Sequence, residues 1–280
     1  MNKEPFVSIV IPTKNAGAFL ENCLKCIKRQ SYKNIEIIIV DGGSTDNTLS
    51  IAKKYKAKIF LFDPKLPPDK YAATHRRNYG VKKSKGKYVY YVDADYELTK
   101  NVIKDCVDAC SVDGFDAVIT PLDTFGVGIW AKAKNLERRC YFKDDTVESP
   151  RFFKKSVWKA VGGLDERLMG GGDDWDLYQK LLERNFKVGR VESVVRNNEG
   201  NLTLGKLFKR AFFYSKDSLK YFRKRPKQAF KSYFPIRPGY IRNWKLFIRR
   251  PNDSLALIIV RAVEYSGGVL GVAYSLIKPD

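Results

Sequence analysis

Two acidic residues, Asp93 and Asp95, stand one residue apart directly after the apolar run Tyr88–Val92. An apolar run of this length predicts a buried β-strand, so both carboxylates are expected at the carboxyl edge of a sheet. Open α/β sheets bind ligands in the crevice beyond that edge. Carboxylate oxygens there suit a divalent cation that also takes oxygens from a diphosphate. A solvated turn after a strand explains the same two residues taken alone, so the surrounding sequence must decide.

Strand and helix patterns alternate around this acidic pair. Apolar runs bounded by turn residues predict five strands, which are Val7–Ile11, Glu36–Val40, Lys58–Phe62, Tyr88–Val92 and Ala117–Pro121. A later helix is predicted to begin at the acidic run 173–176 and to continue through Leu182. This alternation predicts an α/β fold with a mostly parallel sheet that helices cover on both faces.

Polar residues follow three of the predicted strands. Pro12, Thr13 and Asn15 follow the first strand, Asp41 ends the second, and the acidic pair follows the fourth. The carboxyl ends of parallel strands meet at one edge of a sheet, so these residues are expected to line a single crevice.

The charge of the chain is strongly positive and unevenly distributed. The 280 residues carry a formal net charge of +21, and 44% of them are hydrophobic, enough to build a core. Gly205–Arg250 holds fifteen Lys or Arg residues and one acid, Asp217, so two thirds of the net charge lies there. Such a balance predicts an acidic partner or an anionic membrane surface.

Large aromatic residues interleave with this basic segment, and an apolar run follows it. Anionic lipid headgroups and single-stranded nucleic acid both suit a basic-aromatic surface. The run Leu255–Ile277 is long enough to cross a bilayer, but Arg261 and Glu264 interrupt it at a spacing that lets them pair. The sequence therefore favours a membrane surface and predicts a helix that lies in the interface or docks on the domain.

Five cysteines, an odd number, form no pattern typical of a disulfide scaffold. The pairs Cys23–Cys26 and Cys106–Cys110 fall in helical patterns, where cysteine is usually a small buried apolar residue; a zinc site is the alternative. Met1–Pro5 is polar, and the apolar run after it is too short for a secretory signal. These features predict a cytoplasmic protein.

Three segments in this order resemble family 2 glycosyltransferases of the GT-A fold. They are VSIVIPTKNAGAFLENCLKCIKRQSYKNIEIIIVDGGSTDNT (Val7–Thr48), RRNYGVKKSKGKYVYYVDADYEL (Arg76–Leu98) and VGGLDERLMGGGDDWDLYQKL (Val161–Leu181). The resemblance implies a GT-A domain over residues 1–204, which leaves 205–280 as a basic-aromatic helical extension that associates with membranes. It also implies a UDP- or GDP-sugar donor and a divalent metal, Mn²⁺ or Mg²⁺.

The resemblance implies that six residues bind the nucleotide, which are Pro12, Thr13, Asn15, Asp41, Arg77 and Asp93. Asp41 would face the base, Asp93 would face the ribose or the metal, and Asp95 would bind the metal. Taken alone, Asp41 and Asn15 are also ordinary turn formers, and Arg77 is also an ordinary solvated helix charge.

The third segment supplies the catalytic candidate. Asp174 matches the second acid of the family's Glu-Asp motif and would take the proton of an acceptor hydroxyl during inverting transfer. Asp173, Trp175 and Asn197 would lie in the acceptor and diphosphate region. Acids at a helix start also stabilise the helix dipole, which is the simpler explanation of Asp173 and Asp174.

Two positions depart from the family pattern. Ala16 follows Asn15 where many members have Glu, and Asn197 stands where many members have His near the diphosphate. The metal is therefore expected to rest on Asp95 and on diphosphate oxygens. The single histidine, His75, is interpreted as a surface helix residue and not as a ligand.

The leading hypothesis is a metal-dependent inverting glycosyltransferase, favouring hexosyl transfer, at the cytoplasmic face of the cell membrane. It would be peripheral or monotopic and would act on a lipid-linked or other glycan. Transfer to polyprenyl phosphate is the close alternative and needs no base. A nucleic-acid-binding protein on an inactive fold, or a non-catalytic scaffold, leaves Asp95 and Asp174 unexplained, so no nucleic acid is expected. Sugar choice is expected to lie in loops such as Leu122–Lys143 and Met169–Gly172.

Overall fold

The described part of the chain forms ten strands, several of them from apolar runs. The computed structural model describes residues 4–62, 73–168, 172–235 and 237–277. The strands are β1 (Val7–Thr13), β2 (Ile35–Asp41), β3 (Lys58–Leu61), β4 (Tyr88–Tyr91), β5 (Tyr96–Leu98), β6 (Ala117–Ile119), β7 (Leu122–Val127), β8 (Phe152–Lys154), β9 (Val188–Arg190) and β10 (Val195–Asn201). The five strands predicted from the sequence correspond to β1, β2, β3, β4 and β6.

Seven of these strands form one large sheet, in the order β3-β2-β1-β4-β8-β6-β9. β1 runs parallel to β2 and β4, and β2 runs parallel to β3. β8 is antiparallel to both β4 and β6, and β6 is parallel to β9. The predicted α/β fold with a mostly parallel sheet is confirmed, and β8 is the antiparallel strand that its short, mixed sequence did not reveal.

Thirteen helices connect or extend the strands. They are α1 (Gly17–Lys28), α2 (Thr48–Lys54), α3 (Ala73–Lys83), α4 (Val102–Ser111), α5 (Gly128–Cys140), α6 (Lys155–Ala160), α7 (Asp173–Glu183), α8 (Leu204–Ser215), α9 (Ser218–Lys224), α10 (Pro226–Tyr233), α11 (Pro238–Arg242), α12 (Trp244–Arg249) and α13 (Pro251–Ile277). Leu122–Lys143 is mostly β7 and α5, so its interpretation as a loop was wrong. Residues 169–171 of the second expected loop lie outside the described residues.

The chain divides into two compact units. Unit 1 comprises Met1–Pro121, Ser149–Glu166 and Leu177–Arg196, and it contains the large sheet. Unit 2 comprises Leu122–Glu148, Arg167–Asp176 and Asn197–Asp280. Unit 2 thus contains the whole predicted extension 205–280 together with two earlier segments of the chain.

The core of unit 1 follows from strand and helix periodicity. Val10, Ile38 and Val89 are fully buried on three adjacent strands and belong to one apolar cluster. Leu177 and Leu181 stand four residues apart on α7, so both lie on the same helix face and join this cluster. Burial of these side chains is the main stabilisation of the sheet.

Close helix packing organises unit 2. α13 packs along α8, and a Cβ atom on Gly267 would lie 2.6 Å from the carbonyl oxygen of Phe208. A Cβ on Gly271 would lie 2.1 Å from the carbonyl oxygen of Phe212. Glycine at 267 and 271 therefore permits this close packing, because any side chain there would separate the two backbones.

A buried charge network joins α5, α11 and α13 in unit 2. The Glu137 carboxylate is 2% exposed and forms ion pairs with Lys134 and Arg261. The hydroxyl groups of Tyr141 and Tyr240 donate to the same carboxylate at 2.7 and 2.8 Å. Arg261 also pairs with Glu264 at 3.0 Å, the pairing that their spacing predicts. Each charge in this network therefore has an opposite charge beside it.

Neighbouring positive charge keeps Glu137 ionised. Burial by itself raises the pKa of the Glu137 carboxyl, but the charges of Lys134 and Arg261 and the hydrogen bonds to it outweigh burial and hold the pKa well below its ordinary value. The ionised network therefore contributes its full stability above the ordinary Glu pKa of about 4.3. That stability is lost as the pH falls through the lower pKa of the folded state.

Replacing Glu137 with Gln is expected to destabilise the protein by about 3–5 kcal/mol at neutral pH, because it leaves buried cations without their partner. The difference from wild type should shrink as the pH falls below about 4. Urea unfolding across a pH series measures both effects. Asp217→Asn is the control in the same unit, since its partner Lys220 is 44% exposed and should contribute far less. A pH-independent difference for Glu137→Gln would contradict this explanation.

Candidate functional site

Asp41 organises the loop at the ends of β1 and β2. Thr13 and Asp41 face each other in the parallel register, and the Thr13 hydroxyl donates to Asp41 Oδ1 at 2.8 Å. The Ser44 hydroxyl donates to Oδ1 at 2.6 Å, and the amides of Gly43 and Ser44 donate to Oδ2 at 3.0 and 2.8 Å. Asp41 is fully buried by these contacts. It builds the loop in this conformation, and its contact with a base stays a prediction.

Asn15 ties the loop after β1 to the loop after β2. Its backbone has a φ of 51°, in the left-handed region that Asn tolerates. Its backbone amide donates to the Ser44 hydroxyl at 2.8 Å, and its side-chain oxygen accepts from the backbone amide of Thr45 at 2.8 Å. Pro12 lies one residue before the end of β1. The nucleoside-binding residues predicted from these two strands therefore lie together at the strand ends, where hydrogen bonds join the two loops; Thr13 and Asp41 are buried there and Asn15 is exposed.

Asp93 lies between two arginines directly after β4. Arg77 on α3 donates to Asp93 Oδ1 at 2.6 Å, and Arg151 before β8 donates to Oδ2 at 2.7 Å. The ring of Tyr91 lies beneath both guanidinium groups, 5.1 Å from that of Arg77 and 5.3 Å from that of Arg151. Such cation–π contacts hold the arginines flat and in place. These four residues are called the arginine clamp below.

The arginine clamp fixes the charge state of Asp93. Its side chain is 26% exposed. Burial alone raises the pKa of this carboxyl, but the two guanidinium charges and their hydrogen bonds outweigh burial and keep the pKa well below its ordinary value. Asp93 is therefore ionised throughout the neutral range, and the clamp carries a net charge of one positive unit.

Asp95 follows on a turn and is partly exposed. The described residues contain no group of three His, Cys, Asp or Glu side chains placed to hold a metal ion. Both Asp93 oxygens already accept from arginine. A hard divalent cation here would therefore have one protein carboxylate, that of Asp95, and would take its other oxygens from a ligand such as a diphosphate. The donor set fits a metal that arrives with its ligand.

The first turn of α7 carries the catalytic candidate. Asp173 and Asp174 are its first residues; Asp173 is buried and Asp174 is partly exposed. Gly172 precedes them with a φ of 107°, and a Cβ there would lie 2.7 Å from the Tyr221 ring. This turn therefore requires glycine. The structure places these acids at a helix N-terminus, where negative charge is stabilised, so their catalytic role stays a prediction.

Trp175 and Asp176 anchor this turn within unit 2. The Trp175 indole donates to the carbonyl oxygen of Val147 at 3.0 Å, and its ring contacts those of Tyr221 and Tyr233. Asp176 is fully buried and pairs with Lys224 at 2.8 Å and with Arg225 at 3.0 Å. The role predicted for Trp175 toward an acceptor is untested, and the contacts show that the ring also holds the turn in place.

Asn197 lies on β10 and is buried. Its side-chain nitrogen donates to Glu199 at 3.2 Å, and Glu199 in turn pairs with Arg210 at 2.7 Å. Within the described part of the chain, the side-chain oxygen of Asn197 has no hydrogen-bond partner. The residue is thus well placed to accept a hydrogen bond, while its predicted contact with a diphosphate stays a prediction.

The surroundings of the five cysteines and of the single histidine are those of residues with a structural role. All five cysteines are free, and all but Cys26 are buried. Burial raises the pKa of the Cys23 thiol, and the nearby charge of Asp95 raises it further. This agrees with the interpretation of helical cysteines as small apolar residues. His75 is less exposed than the sequence suggested, because its ring lies 6.4 Å from that of Phe62 and its Nε2 lies 3.5 Å from Glu166.

Arg151 and Asp176 were not anticipated from the sequence. Arg151 is 58 residues away from Asp93 along the chain and belongs to no recognisable motif. Asp176 is the third acid of the run at the α7 start, and its partners lie 48 and 49 residues later. One feature of the sequence could have identified them. Arg151 is a charged residue directly before an apolar strand, and Asp176 is a charged residue on a helix face that is buried.

Comparison with known proteins identifies the family of the chain. The sequence matches the glycosyl transferase family 2 model over residues 8–162, more than half of the chain. This match includes the loops of β1 and β2 and the arginine clamp, and it ends before Asp174 and Asn197.

Curated relatives share parts of the chain. Glycosyltransferase GlyG of Streptococcus pneumoniae is 34% identical over 113 residues, which are 40% of this chain and 38% of that protein. Poly(ribitol-phosphate) beta-N-acetylglucosaminyltransferase TarP of Staphylococcus aureus is 30% identical over 157 residues, which are 55% of this chain and 47% of that protein. The chain therefore spans less than half the length of these two relatives.

Solved structures share the fold. Mannosyltransferase PcManGT from Pyrobaculum calidifontis, in complex with GDP-Man and Mn²⁺, superimposes with a TM-score of 0.61 at 19% identity, over 99% of this chain and 82% of that one. TarS from S. aureus in complex with UDP gives a TM-score of 0.57 at 16% identity, over 98% of this chain and 92% of that one. The large sheet and its helices thus have the GT-A fold, and the chain belongs to glycosyl transferase family 2.

Proposed function

We propose that the protein is a metal-dependent, inverting glycosyltransferase. It transfers a sugar from a nucleotide-diphosphate sugar, a UDP- or GDP-sugar, to a lipid-linked or other glycan at the cytoplasmic face of a membrane. The observation that carries this proposal is the arginine clamp beside Asp95. Two ordered guanidinium groups and one partly exposed carboxylate form a site for a diphosphate that arrives with a divalent cation.

Each group of unit 1 has a distinct task in this proposal. Arg77 and Arg151 donate charge-assisted hydrogen bonds to diphosphate oxygens, because guanidinium groups suit oxyanions. Asp93 keeps both arginines ordered before the donor binds, which lowers the entropy cost of binding. Asp95 and the donor's own oxygens hold the metal, which supplies charge neutralisation to the departing diphosphate. Relatives of this fold were solved with GDP-Man and Mn²⁺ and with UDP, which supports such a donor.

Asp174 is proposed as the general base. It is partly exposed in the first turn of α7, where its ionised form is stabilised by the helix dipole. Such a carboxylate removes the proton of an acceptor hydroxyl as the oxygen attacks the sugar carbon from the side opposite the diphosphate.

Asp95→Ala and Asp174→Asn should separate donor binding from transfer. Asp95→Ala is expected to remove the gain in nucleoside diphosphate affinity that Mn²⁺ or Mg²⁺ provides, measured by calorimetry with UDP and GDP. Asp174→Asn should bind the same nucleotides normally but lose about 10²–10⁴-fold in transfer to a hydroxyl acceptor. Unchanged metal-dependent affinity in Asp95→Ala would remove the metal assignment, and near-normal transfer by Asp174→Asn would remove the base assignment.

Arg151→Met tests the arginine clamp. Loss of a charged hydrogen-bond donor is worth about 1.5–3 kcal/mol, so nucleoside diphosphate affinity should fall by about 10–100-fold. Affinity for the nucleoside alone should stay unchanged, because the arginine would contact the diphosphate. Lys154→Met is the matched control, since Lys154 lies three residues further on and pairs with Asp116 at 2.8 Å. An equal loss of affinity for the nucleoside and for the nucleoside diphosphate would contradict the proposed contact between Arg151 and the diphosphate.

Unit 2 carries the features that support a membrane location. Fifteen of the twenty exposed large apolar side chains in the described residues lie within 205–280. Among the described residues, α13 is the helix with the length and apolar composition for a membrane crossing, yet one face of it is buried on α8 and α5. Its other face exposes apolar side chains that include Ile258 and Val269. A helix with one docked face and one apolar free face is suited to lying in the interface.

The double variant Ile258→Asn/Val269→Asn is expected to lose the salt-resistant part of binding to anionic liposomes. Each basic residue near an anionic surface is worth about 1 kcal/mol, so a salt-sensitive part should remain. Flotation across a salt series measures both parts. Val112→Asn is the control, because Val112 is equally exposed but lies in unit 1. If the wild-type chain fails to float even at low salt, the membrane assignment is wrong, and a gel shift with single-stranded nucleic acid becomes the next test.

A further inference from the structure

Arg237 is a buried cation that forms no ion pair with an acid among the described residues. Its side chain is 7% exposed, between α10 and α11. Within the described residues, nothing accepts a hydrogen bond from its Nε or Nη1, and both atoms are shielded from solvent. Its guanidinium group lies over the Tyr141 ring, 5.1 Å from the ring centroid. The Tyr141 hydroxyl is committed elsewhere, to Glu137 and Tyr240.

The contrast with Glu137 makes Arg237 unusual. In the same unit, Glu137 has two cations and two hydroxyl groups around its carboxylate. Asp144, which accepts from the Gly239 amide on α11, forms no ion pair with Arg237 among the described residues. A buried charge without a counter-charge costs folding free energy, and proteins retain such groups mainly at binding sites.

The segment 144–147 lies between Arg237 and the first turn of α7. The Gly239 amide, two residues after Arg237, donates to Asp144 Oδ2 at 3.3 Å, and the Trp175 indole donates to the carbonyl oxygen of Val147 at 3.0 Å. Burial raises the pKa of the Tyr233 hydroxyl, the charge of Arg237 lowers it, and the charge of Asp173 raises it, in agreement with this placement. The Tyr233 ring also contacts Trp175, whose neighbours in sequence are Asp174 and Asp176. The unpaired guanidinium thus belongs to the surroundings of the proposed base.

A second polar group without a partner lies in the same aromatic cluster. The Tyr221 hydroxyl is buried and has no hydrogen-bond partner within the described residues. The Tyr221 ring contacts Trp175, and its hydroxyl acts electrostatically on Tyr233. Two buried donors without acceptors, close to one tyrosine, indicate that this part of unit 2 is built to receive an acceptor atom from a ligand.

We infer that Arg237 is the anchor of a binding site for a phosphoryl group of the acceptor. This inference rests on the proposed function, in which Asp174 is the general base, because it assumes that the ligand bound near Asp174 is the acceptor. A guanidinium group presents a planar fork of donors that matches phosphate oxygens, and the negative charge of a phosphoryl group would compensate its buried positive charge. The acceptor class is then a glycan or lipid that carries a phosphate, such as a lipid-linked phosphate or a phosphodiester polymer.

The same chemistry has a second source, the diphosphate of the donor. The arginine clamp of unit 1 already provides two guanidinium groups for the donor, whereas Arg237 and Tyr221 belong to unit 2 with the proposed base. A base acts on the acceptor, so its surroundings recognise the acceptor. We therefore assign the Arg237 site to the acceptor phosphate, and the experiment distinguishes the two sources.

Thermal unfolding of the full chain in rising inorganic phosphate, against chloride at equal ionic strength, tests the site directly. Wild type should be stabilised saturably by phosphate. Arg237→Met, which keeps the apolar stem, should lose this response and should be at least as stable as wild type without phosphate. Arg237→Lys keeps the charge but not the fork, and its half-saturating phosphate concentration should rise by about tenfold or more. Arg242→Met is the matched control on α11, because Arg242 is exposed and should respond as wild type does.

Equal phosphate responses in wild type, Arg237→Lys and Arg237→Met would overturn the inference, whatever the stability of the variants. Calorimetry with UDP and GDP in Mn²⁺ decides the source. The acceptor assignment predicts that Arg237→Met binds these nucleotides as tightly as wild type does. If the variant loses nucleotide affinity together with its response to phosphate, the site belongs to the donor and the acceptor assignment is overturned. If no variant and no wild-type protein binds UDP or GDP, the proposed function fails while the phosphate result is still readable.

Discussion

The ion pairs between Asp93 and its two arginines are the constraint on which the candidate site depends. A carboxylate at the end of β4 sits where the sheet edge, α3 and the start of β8 converge. The guanidinium groups of Arg77 and Arg151 lie over the same Tyr91 ring, and the carboxylate between them offsets the repulsion of their like charges. The clamp thus orders three elements and leaves an excess of one positive charge beside Asp95.

Three carboxylates in the described part of unit 2 follow the same physical rule. Glu137, Asp176 and Glu199 are each bound by one or two cations, so their desolvation is offset by attraction and hydrogen bonding. Such pairs fix the positions of α5, α9 and α8, whose apolar faces alone would tolerate sliding. Arg237 departs from the rule, and a departure of this kind is expected where binding requires a charge that folding alone does not use.

Local patterns determined how much of this could be predicted. Strand ends are visible as apolar runs followed by polar residues, so the positions of Asp41, Asp93 and Asp95 at the strand ends could be predicted, and the α/β fold followed from the alternation of elements. Arg151 is 58 residues from its partner, and the contact depends on β8 inserting antiparallel beside β4. Periodicity reports the local conformation and says nothing of pairing across such a distance. The helix α5 was not predicted, although its buried apolar residues include Leu136 and Cys140, four residues apart.

The departures from the family pattern bear on the proposed metal site. Ala16 stands where many family members have an acid, so unit 1 offers one acid fewer to a metal ion. With both Asp93 oxygens committed to arginine, one carboxylate remains for a cation. In the proposed function, the positive charge of the clamp would neutralise part of the charge of a diphosphate. Oxygens of the ligand would then complete the coordination of the metal, so the metal and the diphosphate would bind together.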